Sequence, residues 1–183
     1  MKKYLAVMVM AAMVFMAASA WAACTQAIPT QAKALMLEGA FQKSHTYKIA
    51  YYTDTATWSA STTAYSATNE VSGTNYTAGG FTLASNVVAQ SGTTAFLDFA
   101  DNVQSTITFT TASTCAMIYD SSLNNSSCTA NITPWNCCTG NGTGTCTNSA
   151  LWIGTFSSVQ PNAGTLTATF PTPDSSNAIV RIQ

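Results

Sequence analysis

The chain has 183 residues, with 6 Lys and Arg against 7 Asp and Glu, and it is 47% hydrophobic but only 7% charged. That length suits one domain, or one domain behind an export segment. So few basic residues exclude a strong nucleic-acid binder, the plentiful aromatics exclude classical disorder, and the scarcity of Glu and Lys excludes a coiled coil.

The N-terminus reads as an export signal. Met1-Lys2-Lys3-Tyr4 is a short positive region, and Leu5 to Ala18 carries no charge. Ser19-Ala20-Trp21-Ala22-Ala23 supplies small residues, with Ala20 and Ala22 in the signal-peptidase pattern. Residues 1–22 are therefore expected to be removed, with the cut after Ala22 or Ala23. The apolar run is short for a bilayer core of ~30 Å, and no basic stop-transfer group follows it. Removal takes Lys2 and Lys3 and no acid, so 6 basic residues fall to 4 against 7 acids, a net of −3. The expected location is exported: extracellular, cell surface or periplasm. Membrane attachment would require a lipid on Cys24, and Trp21 stands where a lipoprotein signal usually has an aliphatic residue.

Residues 23–183 are expected to form one β-rich domain. Ala27 to Lys43 reads as a helix capped by Thr30, with Ala32, Leu35, Met36, Ala40 and Phe41 as its apolar stripe. Thr46 to Thr53 is rich in β-formers. Asp54 to Gly80 is a long polar stretch with Trp58, Tyr65 and Tyr76 as anchors, ending in a turn at Ala78-Gly79-Gly80. Further strands are expected at Phe81–Ala89, Thr94–Phe99, Ser105–Thr110, Cys115–Tyr119, Leu151–Phe156, Thr165–Phe170 and Ala178–Ile182. Strict alternation in Thr165–Phe170 gives that strand one wet and one dry face. Short strands between Gly, Asn, Ser and Pro make the fold mainly β, sandwich-like or barrel-like, with one N-terminal helix.

Ser121 to Ser149 breaks the rhythm. It holds four of the six cysteines, and Ile132 and Trp135 are its large apolar side chains besides Leu123. Such a segment buries too little to order itself without crosslinks, so it reads as a disulfide-stapled loop insertion. All the cysteines (Cys24, Cys115, Cys128, Cys137, Cys138 and Cys146) follow the signal, and an even number in an exported chain points to disulfides. Adjacent Cys137 and Cys138 are poorly placed to bond each other. The expected arrangement staples Cys128, Cys137, Cys138 and Cys146 locally and leaves Cys24 to reach Cys115.

Several stretches carry a family resemblance. They are Lys48-Ile49-Ala50-Tyr51-Tyr52-Thr53, Ser61-Thr62-Thr63-Ala64-Tyr65 and the string from Asn69 to Gly80 (NEVSGTNYTAGG). Ser91-Gly92-Thr93-Thr94-Ala95, Leu97-Asp98-Phe99 and Ala116-Met117-Ile118-Tyr119 continue it, and Asn177-Ala178-Ile179-Val180-Arg181-Ile182 closes it. From about residue 33 to 183 the chain resembles a family of small β-rich structural proteins of tailed-phage and prophage virions. The resemblance implies a non-enzymatic, self-assembling component with no catalytic residues to carry over. Two features depart from the pattern: the export signal, and the Cys-rich insertion in place of a short turn. Together they imply a virion-like domain moved to the cell exterior.

The chemical constellations are weak. A Ser-His-acid relay would have to use His45, the one histidine, next to Ser44. Gly140-Asn141-Gly142-Thr143-Gly144-Thr145 is glycine-rich like a phosphate loop but lacks the following Lys and helix. Asp98, Asp101 and Asp120 supply too few local oxygens for calcium. The short Cys-x-x-Cys knuckles of a zinc site are missing. No catalytic, metal or cofactor site is therefore expected. Trp135 and Trp152 are the candidates for a sugar platform, and Trp135, Asn136 and Asn141 form the candidate contact surface of the insertion. The expected function is an exported structural protein that forms a homo-oligomer or surface assembly. Its rivals are a secreted binding module for a glycan or cell-surface partner, such as an adhesin, and a bona fide virion structural protein.

Intact-mass spectrometry of the exported protein should find a chain beginning at Ala23 or Cys24. A cytoplasmic chain beginning at Met1 would refute export, and a diacylglycerol mass on Cys24 would refute the soluble form.

Overall fold

This computed structural model describes residues 23–125, 146–172, 174 and 176–182. Residues 1–22, expected to be an export signal, and the centre of the cysteine-rich stretch, 126–145, lie outside them. Helix α1 spans Thr30–Leu37. The strands are β1 (Tyr47–Tyr52), β2 (Gly73–Thr74), β3 (Phe81–Thr82), β4 (Val87–Ser91), β5 (Thr94–Asp98), β6 (Asn102–Phe109), β7 (Ser113–Asn125), β8 (Cys146–Val159), β9 (Gly164–Ala168) and β10 (Val180–Ile182). They form three sheets in the orders β3-β1-β7-β8, β10-β5-β4 and β2-β6-β9, every pair antiparallel. The mainly β, sandwich-like architecture with one helix agrees with the sequence expectation.

The central strands of the four-stranded sheet, β1 and β7, are buried on both faces. Alternation sends Tyr47, Ile49 and Tyr51 of β1 and Ala116 and Ile118 of β7 to one face. There they pack with Leu97, Ile107, Phe109, Leu166 and Val180 from the two smaller sheets, which makes the main core. Ala50, Tyr52, Cys115, Met117 and Tyr119 point the other way, with Ala150 and Ile153 of β8. That second face is covered by chain outside the strands, through Cys24, Ala56, Trp58 and Tyr65. Trp58 packs edge-on to Tyr52 at 5.3 Å and Tyr65 stacks on Tyr119 at 4.6 Å. Tyr76 packs into the main core, so all three expected anchors are anchors.

The Cys24–Cys115 disulfide, across a sequence separation of 91, ties this cover to β7. It is the long-range pair expected once the other four cysteines were assigned to local staples.

Several expectations need correction. The helix is Thr30–Leu37, not 27–43. It ends because Gly39 adopts φ +69 and closes a Schellman turn, with Gly39 N–H donating to Met36 O and Ala40 N–H to Leu35 O. Thr30 is the first helical residue; Pro29 holds the cap position, with no side-chain cap hydrogen bond. The strand expected over Phe81–Ala89 is split into β3 and β4, with Ser85 between them at φ +52. The other expected strands are present, but β7 runs on to Asn125 and β8 begins at Cys146, well beyond Cys115–Tyr119 and Leu151–Phe156, and the short β2 was not expected. Leu166 and Phe170 are buried between exposed threonines as alternation required.

Replacing both Cys24 and Cys115 by Ala should lower unfolding free energy by about 3–4 kcal/mol, because the bond closes a long loop in the unfolded chain. Urea unfolding of the mature protein measures it, and an unchanged midpoint would show that the second face is held by packing alone.

Candidate functional site

The sequence located contact at the cysteine-rich insertion, so its base is the natural place to look for a site. β7 and β8 pair from Ser113↔Val159 to Asn125↔Cys146, with register shifts that include one between Asp120 and Asn124. The first and last residues of the stretch 121–149 are therefore strand and not loop. The insertion opens only beyond Asn125 and closes at Cys146. Leu123 and Cys146 are buried against Leu35 of α1, with Ala40 and Phe41 beside them. This satellite core is what lets a polar-looking sequence hold the hairpin. Gln31 Nε2 lies 3.6 Å from Cys146 Sγ. Cys146 is disulfide-bonded, and its partner lies outside the described residues. Cys128, Cys137 and Cys138 lie there too, as do Trp135, Asn136 and Asn141. Trp152, the other expected platform residue, is half-buried and packs against the main core.

A buried carboxylate fixes the hairpin where its register shifts. Asp120 is fully buried, and its Oδ1 accepts the Ser122 and Leu123 N–H groups at 2.9 and 3.0 Å. Its Oδ2 lies 2.6 Å from His45 Nδ1. Ser121 N–H and Oγ both donate to Thr46 O, and Thr46 N–H donates to Ser122 Oγ. His45 therefore works as a latch between the segment entering β1 and the base of the hairpin.

The aspartates considered for calcium each serve the backbone. Asp101 Oδ1 accepts Phe170 N–H at 2.8 Å, and Asp98 Oδ1 accepts Phe99 N–H at 2.8 Å. Burial pushes the Asp98 carboxyl above the usual carboxylate range; the Phe99 bond pulls it back, and the charge of Asp101 adds to the rise. Among the described residues no group of three or more His, Cys, Asp or Glu is placed to hold a metal.

The motif string from Asn69 to Gly80 folds into a clamp around Glu70. Glu70 Oε1 accepts Tyr76 Oη–H at 2.6 Å and Gly79 N–H at 2.9 Å, and Oε2 accepts Tyr65 Oη–H at 2.6 Å. Tyr76 Oη in turn accepts Tyr51 N–H, and Tyr119 Oη–H donates to Gly79 O. Asn75 Nδ2–H reaches Thr106 O on β6. Gly80, at φ +70, lies so close to the Ile49 carbonyl that a Cβ would collide with it. Sequence reasoning missed Glu70. The available signal was an acid set between two tyrosines in a polar stretch whose other charged residue is Asp54.

Comparison with models of protein families, with curated proteins and with solved structures finds no match.

The tyrosines share one electrostatic condition. Burial pushes Tyr51 up to about 12, and burial with the charge of Glu70 does the same for Tyr119. Tyr47, Tyr52, Tyr65 and Tyr76 are raised as well, by burial first and then by Asp120 for Tyr47 and by Glu70 for the others. A phenol raised on folding stabilises the fold fully below its ordinary value of about 10, and that contribution is lost as pH climbs through the folded value. Spectrophotometric titration of a chain beginning at Ala23 should therefore show no free tyrosinate near pH 10 in the folded protein, only a cooperative rise at higher pH as the fold is lost. A tyrosine titrating at its ordinary value in the folded state would break the clamp assignment.

Proposed function

We propose that the chain is a non-enzymatic, exported structural protein, resembling a virion component, that assembles with copies of itself or acts at the cell surface. The observation that carries the reading is the work done by the motif string. Its Glu70, Tyr76, Gly79, Gly80 and Asn75 all hold backbone or close a turn, so the residues that carry the family resemblance serve architecture. The disulfide between Cys24 and Cys115 suits an oxidising compartment. No helix among the described residues is long and apolar enough to cross a membrane. The braced base of the β7–β8 hairpin gives the insertion a rigid support, and loops on rigid β-scaffolds are where partner contacts concentrate. That same support favours the second reading, a binding module that presents Trp135, Asn136 and Asn141.

Size-exclusion chromatography and electron microscopy of the exported protein should find assemblies larger than one chain. A monomer that binds glycans would favour the module instead. Replacing residues 126–145 by Asn-Gly, with Cys146→Ala, places a tight two-residue turn on the Asn125↔Cys146 rung. This variant should stay folded by circular dichroism and lose assembly or binding. Retained assembly would move the contact surface off the insertion.

A further inference from the structure

Each of the three sheets has two edges, and all but one of these edges are guarded. β2 and β3 have two residues each, and β10 has three, with Arg181 among them. The edge of β8 is occupied by Ala27 and by residues 63–65, and its register shifts before Val159. β9 is set against a register shift in β6, and Pro171 follows it. Shortness, charge, proline, bulges and cover are the means by which sheet edges are kept from pairing with other chains. Among the described residues, β4 is the edge strand that has none of them.

β4 has 5 residues, VVAQS, with no charge and no proline. It pairs with β5 without a register shift, from Val87↔Asp98 to Ser91↔Thr94 across the turn Gly92-Thr93. The pair that closes a two-residue turn exchanges both of its N–H···O bonds. Alternation then directs the backbone groups of Ala89 and Val87 to β5 as well, and those of Val88 and Gln90 outward. β4 lies at the end of its sheet, and the Val88 and Gln90 backbones have no other hydrogen-bond partner among the described residues. The Val88 side chain is 51% exposed.

We propose that β4 pairs antiparallel with β4 of a second copy of the chain, about a two-fold axis at Ala89. An open edge selects its partner by backbone chemistry, and what completes it is another extended strand. The side chains then favour a copy of the same strand. Two-fold pairing sets Ala89 opposite Ala89 of the second copy at a close, non-hydrogen-bonded position, with about 4.5 Å between Cα atoms. A small, uncharged residue meets its own copy there without crowding or like-charge repulsion. Val88 and Gln90 face Gln90 and Val88 of the second copy, and each of these pairs exchanges both backbone bonds. The β10-β5-β4 sheet thus continues into its copy across the axis. The proposal rests on the reading that copies of the chain assemble, and it adds a contact to that reading. Two such short edges cover less than the area of about 1,200 Å² that a stable interface buries, so the pairing acts together with the insertion contact and not in its place.

The test is sedimentation velocity over a concentration series, on a chain beginning at Ala23 and on variants of it. Ala89→Lys and Ala89→Glu each set like charges face to face at the axis, and each should raise the midpoint concentration of assembly at least about tenfold. An equimolar mixture of the two sets Lys against Glu and should restore the wild-type midpoint. Gln90→Pro removes an N–H that has no partner within the chain, and an edge strand tolerates proline where its nitrogen faces solvent. This variant should keep the wild-type circular dichroism and raise the midpoint by a similar factor, and it decides the matter if the charge variants do not fold. Wild-type midpoints in the folded variants overturn the pairing and leave assembly standing. Assembly weakened in both charge variants and not restored by mixing them assigns β4 to a different strand and overturns the two-fold contact. A wild type that stays monomeric at every concentration overturns assembly and this pairing together.

Discussion

β7 is buried on both of its faces, and the rest of the molecule is arranged around that demand. From Cys115 to Asp120 every residue is inaccessible or nearly so. A strand in that position needs two covers. One is regular, since the two smaller sheets supply a face of aromatic and aliphatic residues. The other consists of irregular chain, which brings backbone polar groups that must be satisfied wherever they are buried. They are satisfied at the sheet edge. Ala27 and Ile153 exchange N–H···O bonds, Tyr65 N–H donates to Asn148 O, and Ala150 N–H donates to Thr63 O. These bonds also occupy part of the open edge of β8, which would otherwise invite strand addition from another chain. The long polar stretch after β1 is thus a lid and not a linker. Cys24–Cys115 fixes the N-terminal segment, the other part of this cover, to β7.

A chain with so few charges uses individual carboxylates as organising points. Glu70 gathers two phenols and a backbone N–H, while Asp120 gathers two backbone N–H groups and a histidine. Hydrogen bonds to an ionised acceptor are stronger than neutral ones, so one carboxylate can order a segment with little apolar surface. Both carboxylates serve segments that the hydrophobic pattern would leave loose: the motif string in one case, the shifted base of the hairpin in the other.

The strands were legible because alternation and β-branched content report on burial directly. Tyr47–Tyr52 and Thr94–Asp98 fall almost where alternation puts them, and the Cys24–Cys115 bond is the pair left when the four cysteines of the insertion are assigned to each other. Errors arose where a local backbone choice overrode side-chain pattern. Gly39 ended a helix whose apolar stripe continued through Ala40 and Phe41, and Ser85 broke a run that otherwise reads as strand. The shoulders of the insertion looked like loop because their buried partners, Leu35 and Phe41, lie far away in sequence. Glu70 was invisible as a hub for the same reason. An acid shows its charge in the sequence, but the phenols that converge on it are brought there by the fold. Cys128, Cys137, Cys138, Trp135, Asn136 and Asn141 lie outside the described residues, so of the expected contact site only its support is seen.

That support explains how an insertion poor in apolar side chains can belong to a well-packed domain. Crosslinks alone restrict a segment without orienting it, because they act mainly by reducing the freedom of the unfolded chain. Orientation requires that one end of the crosslinked segment be held by packing. Cys146 meets both needs. Its sulfur is engaged in a disulfide, and its side chain is 1% exposed against Leu35 and Leu123. The disulfide at Cys146 is therefore anchored in the small core beneath α1. On the opposite strand, Asp120 and His45 fix the register a few residues before the insertion opens. Both strands at the base of the hairpin are thus held by groups that belong to the domain.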